Sequence, residues 1–119
     1  MKDFKKLKVW QKAHRLTLRA YKITREFPKE ELYGLISQIR RSSSSIPANI
    51  AEGCGRSGDA DFDRYLQISI GSASELEYHF LLSHDLNFIE THTFNIFVDD
   101  ISEIKQMLTS FIKKLNAES

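Results

Sequence analysis

Phe94, Phe97, Ile101, Ile104, Leu108, Phe111 and Leu115 alternate spacings of three and four. That period lays one apolar seam along a helix, of the kind used in near-parallel helix packing. Leu32, Leu35, Ile36, Ile39, Ser43, Ile46 and Ile50 repeat the pattern upstream. Phe62, Tyr65, Leu66, Ser69, Ala73, Leu76, Phe80 and Leu82 give a third copy. Near the start of the chain, Ala13, Leu16, Ala20 and Ile23 form one stripe, and Trp10, Thr17 and Tyr21 form a second beside it. No turn-flanked segment sustains a two-residue alternation, so strands are not expected.

Glycine and proline divide this pattern into helices over about 6–26, 31–54, 59–86 and 92–115, in a single domain covering 1–119. The first stops before Pro28, because the residue preceding a proline avoids helical geometry. The second runs into Gly53-Cys54-Gly55, a glycine stop. Asp59 or Asp61 is expected to cap the third and to suit the positive end of its dipole. Four long helices with short connections predict an all-α fold, an antiparallel up-down four-helix bundle.

Pro47 falls inside the second helix, where it removes one backbone hydrogen bond. The apolar stripe keeps its phase from Ile39 through Ile46 to Ile50. A kink is therefore expected rather than a break, with a serine hydroxyl or water meeting the freed carbonyl. Ser42 to Ser45 line this helix with small side chains and invite close helix approach. Ile68, Ile70, Leu81, Ile96 and Met107 lie off the main seams. So much surplus apolar surface predicts self-association.

Composition changes the picture little. The 119 residues are 41% hydrophobic and 28% charged, ordinary for a soluble domain. Cys54 stands alone, which excludes an intrachain disulfide and fits a reducing compartment. The opening Met-Lys-Asp-Phe-Lys-Lys is not followed by an apolar region, so a secretory leader is not expected, and no apolar run comes near the ~18 residues of a membrane span. The expectation is a cytoplasmic protein without membrane contact.

Charge is more informative. The net charge is +1, yet residues 1–28 hold nine Lys and Arg against two Asp and Glu, while residues 59–88 hold one against six. Lys8, Lys12, Arg15, Arg19 and Lys22 follow a 4-3-4-3 spacing, so they line one face of the first helix. A row of cations at this spacing can follow a phosphate backbone, giving salt-dependent and largely sequence-independent affinity. The alternative is a solvated face paired with acids of the third and fourth helices. Arg40 and Arg41 point about 100° apart. They either extend the basic surface or pair with acids such as Glu52 or Glu75, the structural role suiting Arg40 better.

Catalytic and metal signals are weak, so no catalytic residue, metal ligand or cofactor is expected. Glu75 and His79 are four apart and occur once, whereas di-iron bundles repeat a Glu-x-x-His pair and add inward glutamates. A helix C-terminus disfavours the thiolate form of Cys54. Gly55-Arg56-Ser57-Gly58 lacks the phosphate-loop pattern, and Asp59, Asp61 and Asp63 would repel an anion there.

Specific residues carry a family resemblance. They are Leu7-x-Val9-Trp10-x-x-Ala13, Phe27-Pro28, Glu31-x-Tyr33-Gly34-Leu35, Gln38-Ile39-Arg40-Arg41, Ser45-Ile46-Pro47-x-Asn49-Ile50-Ala51-Glu52-Gly53 and Gly55-Arg56. Phe62-x-Arg64-Tyr65-Leu66, Gly71-Ser72-Ala73-x-Glu75-Leu76-Glu77 and Leu86-x-x-Ile89 complete the pattern. With them the chain resembles the S23-like proteins encoded in intervening sequences of bacterial 23S ribosomal RNA genes. The resemblance implies a four-helix bundle assembled as a ring-like homopentamer, with no enzymatic activity. It also implies kinship with the accessory variability determinant of diversity-generating retroelements, a basic pentamer that binds nucleic acid and a reverse transcriptase. Ser42-Ser43 depart from the alanine pair more usual in the family. The combined expectation is a non-enzymatic oligomeric scaffold or accessory protein whose partners are its own copies and RNA or another nucleic acid. Lys8, Lys12, Arg15, Arg19, Lys22, Arg40 and Arg41 are the candidate contacts. A protein–protein interaction module without nucleic-acid binding is the competing expectation.

Overall fold

Each apolar stripe becomes a helix. The computed structural model describes residues 3–118 and places α1 at Lys8–Thr24, α2 at Ser37–Cys54, α3 at Asp59–Asp85 and α4 at Thr91–Glu118. Met1, Lys2 and Ser119, which the expected domain includes, lie outside the described residues. No strand occurs among the described residues. Helix neighbours follow chain order and close into a ring, with α1 also against α4. The bundle measures 47 × 23 × 20 Å.

Contacts between the helices fix an antiparallel register. Arg40 reaches Thr24, while Thr17 reaches Ser43. Ser45 meets Ser72, and Gly53 packs under Phe62. Phe80 stacks on Phe97 at 4.2 Å, and Phe62 meets Phe111 edge-on at 5.3 Å. Leu16, Ile39, Ile46, Ile50, Leu66, Leu76, Ile101, Ile104 and Leu108 are fully enclosed between them. In α4 the seam runs from Leu108 through Ile112 to Leu115, and the expected Phe111 sits half-buried at its edge.

The helix N-termini depart from expectation at three places, and α4 runs three residues past its expected end, to Glu118. A single 3₁₀ turn, Phe4–Lys6, precedes α1, and Leu7 is extended with φ −79° and ψ 126°. Regular helix therefore starts at Lys8. At the third helix Gly58 takes the N-cap position and no side chain caps it; Asp59 and Asp61 lie in the first turn, where only the helix dipole favours them.

The largest departure is at the start of the second helix. Residues Lys29–Glu31 form a 3₁₀ turn and Leu32–Ile36 a wider π-type turn, so regular α2 begins only at Ser37. Gly34 has non-helical backbone angles, φ −109° and ψ −114°. The Glu31 carboxylate folds over it to accept the Leu35 amide at 3.1 Å, and a Cβ on Gly34 would stand 2.7 Å from Glu31 Oε1. The altered turn leaves Leu32, expected in the seam, half exposed and Tyr33 92% exposed.

Pro47 sits inside an unbroken α2. A proline at this position leaves the carbonyl four residues back, that of Ser43, without its amide donor. The Thr17 hydroxyl of α1 lies 2.9 Å from that carbonyl oxygen and shares its proton with its own Ala13 carbonyl. From the other side, Ser69 of α3 donates to the Ile46 carbonyl at 2.9 Å. The freed acceptor is thus met by a neighbouring helix rather than by a local serine. Ser42, Ser43 and Ser44 instead bond back to carbonyls three or four residues earlier on their own helix.

Candidate nucleic-acid interface

Between Lys8 and Thr24 α1 contains no acidic residue, so its cations have no partner on their own helix. Register with α4 divides the five of them. Lys12 Nζ lies 3.4 Å from Asp100 and 3.2 Å from Glu103. Arg19 pairs with the other oxygen of Asp100 and covers the Phe97 ring at 5.8 Å. These two residues tie α1 to α4, as the acid-paired alternative expected. Lys8, Arg15 and Lys22 are exposed and make no ion pair among the described residues. Arg15 shares an open groove with Lys12, Leu18, Arg19 and Asp100.

Arg40 and Arg41 part company. Arg40 donates through Nε to Thr24 Oγ1 at 3.0 Å and through Nη2 to the Tyr21 carbonyl, while its guanidinium lies 4.9 Å from the Tyr21 ring centre. It closes the C-terminal end of α1, where a cation suits the dipole. Its partner is a helix end and an aromatic ring, not the expected Glu52 or Glu75. Those acids are taken by Arg56 and His79. Arg41 is exposed and, among the described residues, bonded only to Gln38 Oε1 at 2.8 Å.

The structure adds cations that sequence spacing passed over. Arg25 follows Lys22 by one turn and is exposed. Lys114 of α4 lines a groove with Lys8, Leu7, Val9, Met107 and Phe111, because the antiparallel register brings the end of α4 to the start of α1. The Lys113-Lys114 pair was the available signal, but its neighbour became visible only once the helices were in register.

Beside the cations, on the α2 side, lies an aromatic groove. The Phe4 and Trp10 rings meet edge-on at 5.0 Å, and His14 stacks on Trp10 at 5.0 Å with 10° between planes. Leu18 and Tyr21 continue the row, over a floor of Ser44, Pro47, Ala48 and Ala51 from α2. This open groove holds about 480 Å³. On α3, Ile68, Tyr78 and Leu81 are 40%, 57% and 43% exposed, with the exposed Ser74 and Glu75 among them. Gly71, between them, has nothing within 4 Å of where a Cβ would stand.

Other chemistry is sparse. Glu75 and His79 form a single pair at 3.3 Å, and no group of three or more His, Cys, Asp or Glu able to hold a metal exists among the described residues. Cys54 is buried. Arg64, hydrogen-bonded to Tyr65 and beside Asp61, is held above the ordinary guanidinium range by the tyrosine first and stays charged. Among the described residues, no helix is long and apolar enough to cross a membrane.

The model of the family described as "23S rRNA-intervening sequence protein" matches residues 5–110, which takes in α1, α2, α3 and most of α4. The chain belongs to that family. A crystal structure from Bacteroides thetaiotaomicron, of a protein with unknown function from the S23 ribosomal protein family, superposes with a TM-score of 0.80 at 30% identity. The overlap covers 88% of this chain and 98% of that one. No curated protein matches. For this chain the comparisons thus give family and all-α fold, and they indicate no catalytic class.

Proposed function

We propose that this protein is a non-enzymatic, self-associating bundle that binds RNA through the outer face of α1. One observation carries the proposal: α1 has no acid of its own, and after α4 has taken Lys12 and Arg19, exposed Lys8, Arg15 and Lys22 remain without an acid partner among the described residues. Three cations spaced seven residues apart recur about every 10 Å along one helix face. Contacts of this kind act on phosphates whatever the sequence.

Self-association, in the ring of five copies that the family resemblance implies, draws on the outward face of α3. Ile68, Gly71, Tyr78 and Leu81 offer exposed apolar side chains around a flat centre, beside the Glu75–His79 pair. Copies in one assembly multiply weak phosphate contacts by raising the effective concentration of each. The same α3 face is what favours the second reading, a protein–protein module without nucleic acid.

Replacing Lys8, Arg15 and Lys22 together by Glu separates the two. RNA binding is lost while the fold and the assembly mass persist. Undiminished RNA affinity in that variant removes the basic face from the function.

A further inference from the structure

We infer that the α1 site takes single-stranded nucleic acid, with bases stacked in the aromatic groove and phosphates on the neighbouring cations. The inference rests on the proposed RNA binding and specifies the form of RNA.

Two grooves run along α1, and Leu18 lines both. On one side is the aromatic row, on the other Arg15 and its basic neighbours. Leu18 is 56% exposed and forms the ridge between them. A duplex buries its base faces in its own stack, so it would meet only the cations. An unpaired strand exposes both phosphate and base, and the proteins that bind such strands combine a basic track with aromatic platforms.

The ring geometry fits that combination. Phe4 braces Trp10, Trp10 stacks on His14, and the ladder ends on His14, which is exposed. A base laid on His14 would extend the ladder over Leu18. The α2 floor beneath it is kept low by Ser44, Ala48 and Ala51. Arg41 stands one turn before Ser44 on the same side of α2, hydrogen-bonded to a neutral glutamine rather than to an acid. Cations therefore border the groove on both helices.

Trp10 is the only tryptophan of the chain, so its emission reports on the groove directly. The probes are an oligouridine strand and the same strand annealed to oligoadenine. Oligouridine should quench Trp10 and bind about tenfold tighter than the duplex, the scale expected for one stacked base. His14→Ala and Leu18→Glu, both at exposed positions, should each lower single-strand affinity about tenfold. His14→Ala should leave duplex affinity unchanged.

Equal affinity for the two probes, or an unquenched Trp10, overturns the inference. So does full single-strand affinity in His14→Ala. If Arg15→Glu with Lys22→Glu still abolishes binding in those cases, the basic face stands and only the groove falls. If neither probe binds the unaltered protein, both readings fall. A Trp10 emission that shifts with protein concentration alone means a second copy covers the groove, which also overturns the inference.

Discussion

The Thr17 hydroxyl lies 2.9 Å from the Ser43 carbonyl oxygen, the acceptor that Pro47 deprives of its amide. The two groups belong to different helices and are both buried. Their bond joins α1 to α2 at the point where α2 is weakest. It also explains how a proline sits in mid-helix without a break.

Thr17→Val keeps the shape and removes the donor. The buried carbonyl is then unsatisfied, which should destabilise the fold by about 1–3 kcal/mol. Pro47→Ala restores an amide to that carbonyl. In the Pro47→Ala background the Thr17→Val penalty should therefore shrink by about 1 kcal/mol or more. Urea unfolding of the four proteins measures the coupling. An identical penalty in both backgrounds would show that Thr17 is not serving the proline gap.

Two glycines should respond oppositely to alanine. At Gly53 a Cβ would stand 2.8 Å from Phe62 Cδ1 and 3.1 Å from Tyr65 Cβ, and Phe62 is held by Phe111. Overpacking should cost about 1–3 kcal/mol, more than the gain in helix propensity. At Gly71 the space is open, and Gly71→Ala should stabilise the monomer by about 0.5–1 kcal/mol. A bulkier Gly71→Trp should lower the light-scattering mass if the α3 face joins copies. An unchanged mass would move the self-association surface elsewhere.

Asp100 restrains two cations at once. Asp100→Asn should weaken the α1–α4 contact by only about 1 kcal/mol, since such pairs stabilise little. It should also tighten RNA binding, because Arg19 loses its acid partner and is released to the surface, while Lys12 keeps Glu103. The plot of log affinity against log salt should steepen by roughly 0.7 for each further phosphate that a freed cation neutralises on a single strand. Unaltered affinity with an unaltered slope would mean that the α1 face does not meet phosphates.

Much of the fold was legible because burial imposes a period. The buried stripe from Ile39 through Ile46 to Ile50, and that from Phe97 to Leu115, could be read directly from spacings of three and four. The π-type turn over Leu32–Ile36 was not legible. It depends on the Glu31 carboxylate folding over Gly34, and no periodicity records that contact. At the candidate site, the sequence placed five cations on one face. It could not say which of them α4 would claim, because Asp100 lies 88 residues from Lys12 along the chain. Thr17 counted only as a member of a second apolar stripe on the first helix, and its role as a donor to α2 emerged only from the register of the two helices.

The most direct test of the central claim is the salt dependence of RNA affinity in the unaltered protein. With Lys8, Arg15 and Lys22 on phosphates, the log–log slope should be about −2 to −3 per protomer. The Lys8→Glu, Arg15→Glu, Lys22→Glu variant should lose both the slope and the binding. A flat salt response, or a steep one that survives the triple replacement, would contradict the account.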